Sequence, residues 1–234
     1  MSGPLKLRRG VIVGEDPLTV EIDGARRPAW ADTTLLGEMR EGDEVVVNVE
    51  ALDLDLGSGG FDVVHVNLTR GLEAGGAEGG EHVMKLNYTS LQHPVEPVEL
   101  PVRDVPHISG KGAPEGAKAP MSVLVLPLHA HLAPAAWAVA QAHSGLAVGY
   151  VQSGGGALPG ALLRDLAELR ERGLLCGHIA AAPAYGGEYE ALSVAGALDA
   201  AVHKLGWDAA IVGPGPGIIG SETRLGHGGM AALD

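Results

Sequence analysis

The stretch LAVGYVQSGGGALPGALLRDLAELRERG, Leu146 to Gly173, decides the fold class. An apolar run through Gln152 reads as a strand. Three glycines, Gly154, Gly155 and Gly156, then turn the chain. A helical pattern follows from about Leu158 to Arg172, with Pro159 tolerated in its first turn and Gly173 beyond its end. Strand, glycine turn and helix in this order form half of a βαβ unit.

Working outward, the same alternation recurs. SVLVLPL (122–128) is an unbroken apolar run, as expected of a strand covered on both faces. A helix is predicted from about Pro134 to His143. CGHIAAAP (176–183) reads as a third strand, EYEALSVAGALDAAVHKLG (188–206) as a third helix and DAAIVG (208–213) as a fourth strand. Alternating β and α segments imply a parallel sheet with right-handed crossovers, so residues 121–234 are predicted to form a Rossmann-like α/β domain.

The first hundred or so residues have a different period. GVIVG, LTVEID, DEVVVNVEAL and FDVVHVNL are short β-branched runs separated by turn signals such as Asp16-Pro17, Asp23-Gly24 and Glu41-Gly42-Asp43. They predict a small all-β, barrel-like domain over 1–108, and EGDEVVVNV has the turn-into-strand pattern of OB-like and SH3-like barrels. LEAGGAEGGE (72–81) reads as a polar loop, and SGKGAPEGAKAP (109–120) as the linker between the two domains.

Composition narrows the function classes. Hydrophobic residues make up 46% of the 234, enough for packed cores. Sixteen Lys and Arg against 29 Asp and Glu give a formal charge of −13, a field that repels phosphate backbones and anionic membranes. Aromatic residues are only 3%, too few for a base-stacking platform on the barrel. Neither nucleic acid nor a membrane is therefore expected as a partner. The single cysteine, Cys176, makes no internal disulfide and reads as a core residue. With no apolar segment after the basic N-terminus, a cytoplasmic protein is expected.

In an open parallel sheet the ligand crevice lies beyond the carboxyl ends of the strands. Those ends read LHAHLAP, QSGGGALP, PAYGGEYE and GPGPGIIGSETRLGHGG, all rich in glycine, proline or polar groups. Ser153 with Gly154, Gly155 and Gly156 offers backbone N–H groups to an anion, or forms a tight turn capped by the serine. The turn carries neither a G-x-G-x-x-G nor a P-loop pattern. His129 and His131 suit proton transfer near neutrality, or cap the following helix. A metal there would need a third ligand from Glu188, Glu190, Glu222 or His227, and none is assigned. Tyr185 and Glu188 are candidate catalytic contacts; Glu188 and Glu190 equally suit the first turn of a helix. In the last loop, Gly215, Gly217, Ser221, Arg224 and His227 are candidate ligand contacts. The Arg224 guanidinium matches a carboxylate or phosphate, or an ion pair with Glu222. No cofactor is specified by this pattern.

LRRG, GDEVVVNVEALDLDLGSGGFDVVHVNL, HVMKLNYTSLQ, VGYVQSGGGALPGAL, AYGGEYEAL and GPGPGIIGSETRLGHGG together resemble the bacterial family catalogued as domain of unknown function 3866. The resemblance covers nearly the whole chain and implies no particular activity. Relatives continue beyond the last glycine-rich loop, and HGGMAALD looks like the first turn of a covering helix. One face of DAAIVG is then expected to be open, or shielded in a homo-oligomer. The leading expectation is an enzyme that binds a small anionic metabolite or nucleotide at the strand ends. The alternative is a non-catalytic ligand-binding or assembly protein.

Overall fold

The computed structural model describes residues 3–56, 59–72, 75, 83–99, 121–221 and 223–233. The chain divides into two compact units, Met1–Gly80 and Glu81–Asp234.

The first unit is a closed five-stranded barrel built from β1 (Leu7–Glu15), β2 (Leu18–Ile22), β3 (Ala25–Trp30), β4 (Glu44–Asn48) and β5 (Asp62–Asn67). The strands follow in the order β1-β2-β3-β5-β4, antiparallel except for β3 and β5. Asp23 and Gly24 both take positive φ at the β2–β3 turn, the geometry whose twist matches paired strands. Alternate residues point inward, so Ile12, Val20, Ile22, Val45, Val47 and Val64 close the core. Single-turn helices α1 (Thr33–Leu36) and α2 (Glu50–Asp53) lead into β4 and β5. Two buried carboxylates stitch the wall. Asp43 accepts a two-nitrogen contact from Arg70 and a bond from Asn67, and Asp62 accepts from Arg27. Arg70 holds the Asp43 carboxyl down at about 2. The predicted strands are present, and β3 is an addition. Its sequence, ARRPAW, carries two arginines and a proline and lacks a strand signal.

The second unit holds a five-stranded, all-parallel sheet of β8 (Ser122–Val125), β9 (Val148–Ser153), β10 (His178–Ala181), β11 (Tyr189–Ala191) and β12 (Ala209–Pro214). Its order is β11-β10-β9-β12-β8. Helices α3 (Leu132–Ala142) and α4 (Leu166–Glu171) pack with Leu126, Val148, Tyr150 and Ile211 on one face. Helix α5 (Val194–His203) packs with Val151, Ile179, Ala181 and Val212 on the other. The connections from β8 to β9 and β9 to β10 cross the sheet in one direction, and the connection from β11 to β12 returns. Crossovers of one hand then place their helices on opposite faces.

Several expectations are corrected here. SVLV is an edge strand and not a covered one: Val123, Leu124 and Val125 are 40–46% exposed. DAAIVG is the covered one, with Ala210, Ile211 and Val212 buried between α5 and the α3/α4 layer. The helix predicted over 158–172 shrinks to α4, because Pro159 to Leu162 make a separate tight turn. The third helix begins at Val194, capped by Ser193, because Tyr189 to Ala191 form a fifth strand instead. Cys176 is exposed.

A small hairpin, β6 (Val83–Lys85) with β7 (His93–Val95), belongs to the second unit, as does Val98, which is buried in its core. The division thus falls at 80/81, ahead of the segment 109–120, which lies outside the described residues, as does most of 72–81. Among the described residues, no helix is long and apolar enough to cross a membrane.

Candidate functional site

The carboxyl edge of the sheet is organised by polar side chains from its central strands. Tyr150 and Gln152, two apart on β9, share a face and are fully buried. The Tyr150 hydroxyl donates toward the carbonyls of Gly213 and Pro214, both at 2.8 Å, and so ties β9 to the exit of β12. Gln152 Nε2 donates to the carbonyls of Ala157 (2.9 Å) and Leu158 (3.1 Å), folding the glycine turn back over its own strand. Gln152 Oε1 accepts from His178 Nε2 at 3.2 Å. His178 lies stacked on Tyr150, ring centres 5.7 Å apart. Burial pushes His178 down to about 4, aided by Arg170 and Lys85, and pushes the Tyr150 phenol well above its usual range.

Two of the strand-end loops are filled by the protein's own carboxylates. Glu190 Oε1 accepts from the amides of Gly186 (2.7 Å) and Gly187 (3.0 Å), while its Oε2 takes the ammonium of Lys85. Lys85 is buried and also donates to the carbonyls of Ala180 (2.6 Å) and Ala184 (2.7 Å), so all three of its protons are used. Glu99 Oε1 accepts from Leu192 and Ser193 at the start of α5.

The β9 and β12 loops are different. Their backbones meet closely: a Cβ on Gly156 would collide with the carbonyl of Gly215, and one on Gly228 with the carbonyl of Gly155. Ala157 N donates to Pro216 O, and Gly228 N to Ile219 O, both at 2.7 Å. Residues 220–221 and 226–227 pair as the two arms of a hairpin, with Gly220 bridged to His227 and Ser221 N donating to Gly226 O at 2.6 Å. Between the loops lies a cleft of about 490 Å³, with Gly155, Gly156, Leu158, Ile219, Ser221 and His227 in its wall. Its lining is mostly carbon. Among the described residues, the N–H groups of Gly155 and Gly156 meet no acceptor. His227 Nδ1 accepts from Gly229 N at 3.1 Å, which puts the ring proton on Nε2 as a donor.

The structure thus brings Gly155, Gly156, Ser221 and His227 together. Ser153 and Gly154 lead into the turn, Gly215 is the buried partner of Gly156, and Gly217 is exposed. Arg224 is exposed near the hairpin tip and is not part of the wall; Glu222 lies outside the described residues. The four candidate catalytic residues lie elsewhere. His129 Nε2 pairs with Asp165 Oδ1 at 2.9 Å and ties the β8 loop to the start of α4. His131 is exposed at the start of α3. Tyr185 is buried with its ring edge-on to His93, and its backbone joins Leu158 and Gly160. Glu188 pairs with Arg170 at 2.6 Å. It precedes β11, whose Tyr189 is in register with Ile179, so it sits at the amino end of that strand.

Gln152 and His178 had a signal in the sequence, each a polar residue inside an apolar strand. Lys85 had none, because its partners are 95 and more residues away.

These features define the class: a closed barrel joined to a parallel-sheet α/β unit with a glycine-walled cleft at the strand ends. The chain belongs to a family of proteins of unknown function (DUF3866), which it matches over residues 28–234. No curated protein and no solved structure matches it.

Proposed function

We propose that the α/β unit is Rossmann-like and binds a small anionic metabolite or nucleotide in the cleft between the β9 and β12 loops. One observation carries this reading: Gly155, Gly156 and His227 all wall the cleft, and their amide and Nε2 N–H groups have no acceptor among the described residues, whereas the neighbouring amide nest is filled by Glu190. Backbone donors of this kind hold oxyanions. The site also lies at the carboxyl ends of central strands, where ligands bind in open α/β sheets. In an enzyme built on this cleft, His227 is the group available to move a proton.

Calorimetric titration with a panel of carboxylates, phosphates and nucleotides tests the proposal. Wild type is expected to bind a member of the panel, and Gly156→Ala to lose at least about tenfold in affinity with its fold retained, because the methyl group forces the two loops apart. Unchanged affinity in Gly156→Ala would reject the site.

A second reading, assembly of like subunits, is favoured by the β8 edge. Val123, Leu124 and Val125 form an exposed run without a charge, and β8 pairs among the described strands only with β12. Natural edges are normally blunted by charge or proline. A second copy pairing there would extend the sheet. Light scattering is expected to show a dimer for wild type and a monomer for Leu124→Lys; a wild-type monomer at high concentration would remove this reading.

A further inference from the structure

We infer that the cleft selects a singly charged oxyanion whose body offers apolar surface, and discriminates against ligands with more than one negative charge on phosphate, such as AMP and ATP. This rests on the binding reading above and narrows it to a ligand class.

The donors in the wall are neutral: two glycine amides and the His227 Nε2–H, while the Ser221 hydroxyl is engaged by Gly226 O and Thr223 Oγ1. Among the described residues, no lysine or arginine is part of the wall. Among the described cations of this unit, Arg164 is exposed and outside the wall, and others are engaged or set apart. Lys85 is buried against Glu190, Arg170 is paired with Glu188, Arg172 with Glu168, and Arg224 stands near the hairpin tip. Residues 81–234 carry fourteen acidic against nine basic side chains, so the surrounding field opposes each added negative charge. Polyphosphates normally need Lys, Arg or a metal ion to neutralise them. Two adjacent amides and one imidazole N–H match the oxygens of a carboxylate or a phosphodiester, which carry one charge each.

The rest of the wall calls for carbon. Leu158 comes from the β9 loop and Ile219 from the β12 loop, and Ile219 is 75% exposed. An apolar side chain left in water beside oxyanion donors gains burial only when the ligand brings its own apolar group.

Four probes distinguish the possibilities: hexanoate, cyclic AMP, AMP and ATP, each titrated calorimetrically into the full chain at constant ionic strength. Hexanoate or cyclic AMP is expected to bind at least about tenfold more tightly than AMP or ATP, and which of the two wins identifies the oxyanion as carboxylate or phosphodiester. Ile219→Lys places a cation in the wall at an exposed position that the fold does not depend on. It is expected to move the preference toward ATP by about tenfold or more. Tighter or equal binding of AMP or ATP by wild type, lost in Gly156→Ala, would overturn the charge selectivity while leaving the binding cleft in place. Binding of none of the four would overturn both. An Ile219→Lys variant with unchanged preference would place the ligand elsewhere and overturn the inference.

Discussion

Chemical denaturation of Lys85→Ala is expected to show a loss of about 3–5 kcal/mol in the stability of the Glu81–Asp234 unit, the usual cost of removing one partner from a buried ion pair. Lys85 is 1% exposed and donates to Glu190 and to the carbonyls of Ala180 and Ala184. Burial lowers the pKa of its ammonium while Glu190 opposes that shift, and each of its three protons has an acceptor. Alanine removes all three donors at once and leaves the Glu190 carboxylate holding only the Gly186 and Gly187 amides. Lys85→Met keeps the aliphatic bulk and strands the same acceptors, so it is expected to be nearly as costly. Adding Glu190→Gln to Lys85→Met should recover part of the loss. A cost below about 1 kcal/mol for Lys85→Ala would mean that the hairpin of β6 and β7 does not hold the sheet edge together.

The second large effect is acid sensitivity. His178 is 2% exposed and its pKa is pushed from 6.5 down to about 4 by burial. The folded imidazole therefore stays neutral between those values, while the unfolded one takes up a proton. More protons bound in the unfolded state means that stability rises with pH across this window. The contribution is fully present above pH 6.5 and falls away as the pH drops toward 4, by about 3 kcal/mol in total. Denaturant midpoints measured between pH 7 and pH 4 should show this loss in the second unit, and His178→Phe should flatten it. In the barrel the sign is set by Asp43, whose carboxyl is lowered from 3.8 to about 2 by Arg70. That stability is present above 3.8 and lost only as the pH falls toward 2. The second unit is thus expected to unfold first on acidification. Simultaneous loss of both units near pH 5 would contradict the assignment to His178.

Local pattern by itself determined the class of each unit. Four of the five barrel strands and the alternation of the parallel sheet are visible as apolar periods, because a strand or helix that buries one face must repeat its apolar residues at the period of its backbone. Glycine positions at the strand ends were visible too, since close backbone approach excludes a Cβ wherever it occurs. Burial on a particular face was not visible. SVLV and AAIV are equally apolar, yet one lies at the edge and the other between two helical layers, because strand order is set by which crossovers pack and not by the strand itself. The same holds for the site. All four strand-end loops look able to take an anion, and only the fold reveals that Glu190 and Glu99 already occupy the amides of one loop and of the start of α5, while Gly155, Gly156 and His227 have no acceptor among the described residues. Those carboxylates reach their partners across folded distance, and the electrostatics that decide between an occupied nest and an open one act through space, where sequence separation has no meaning.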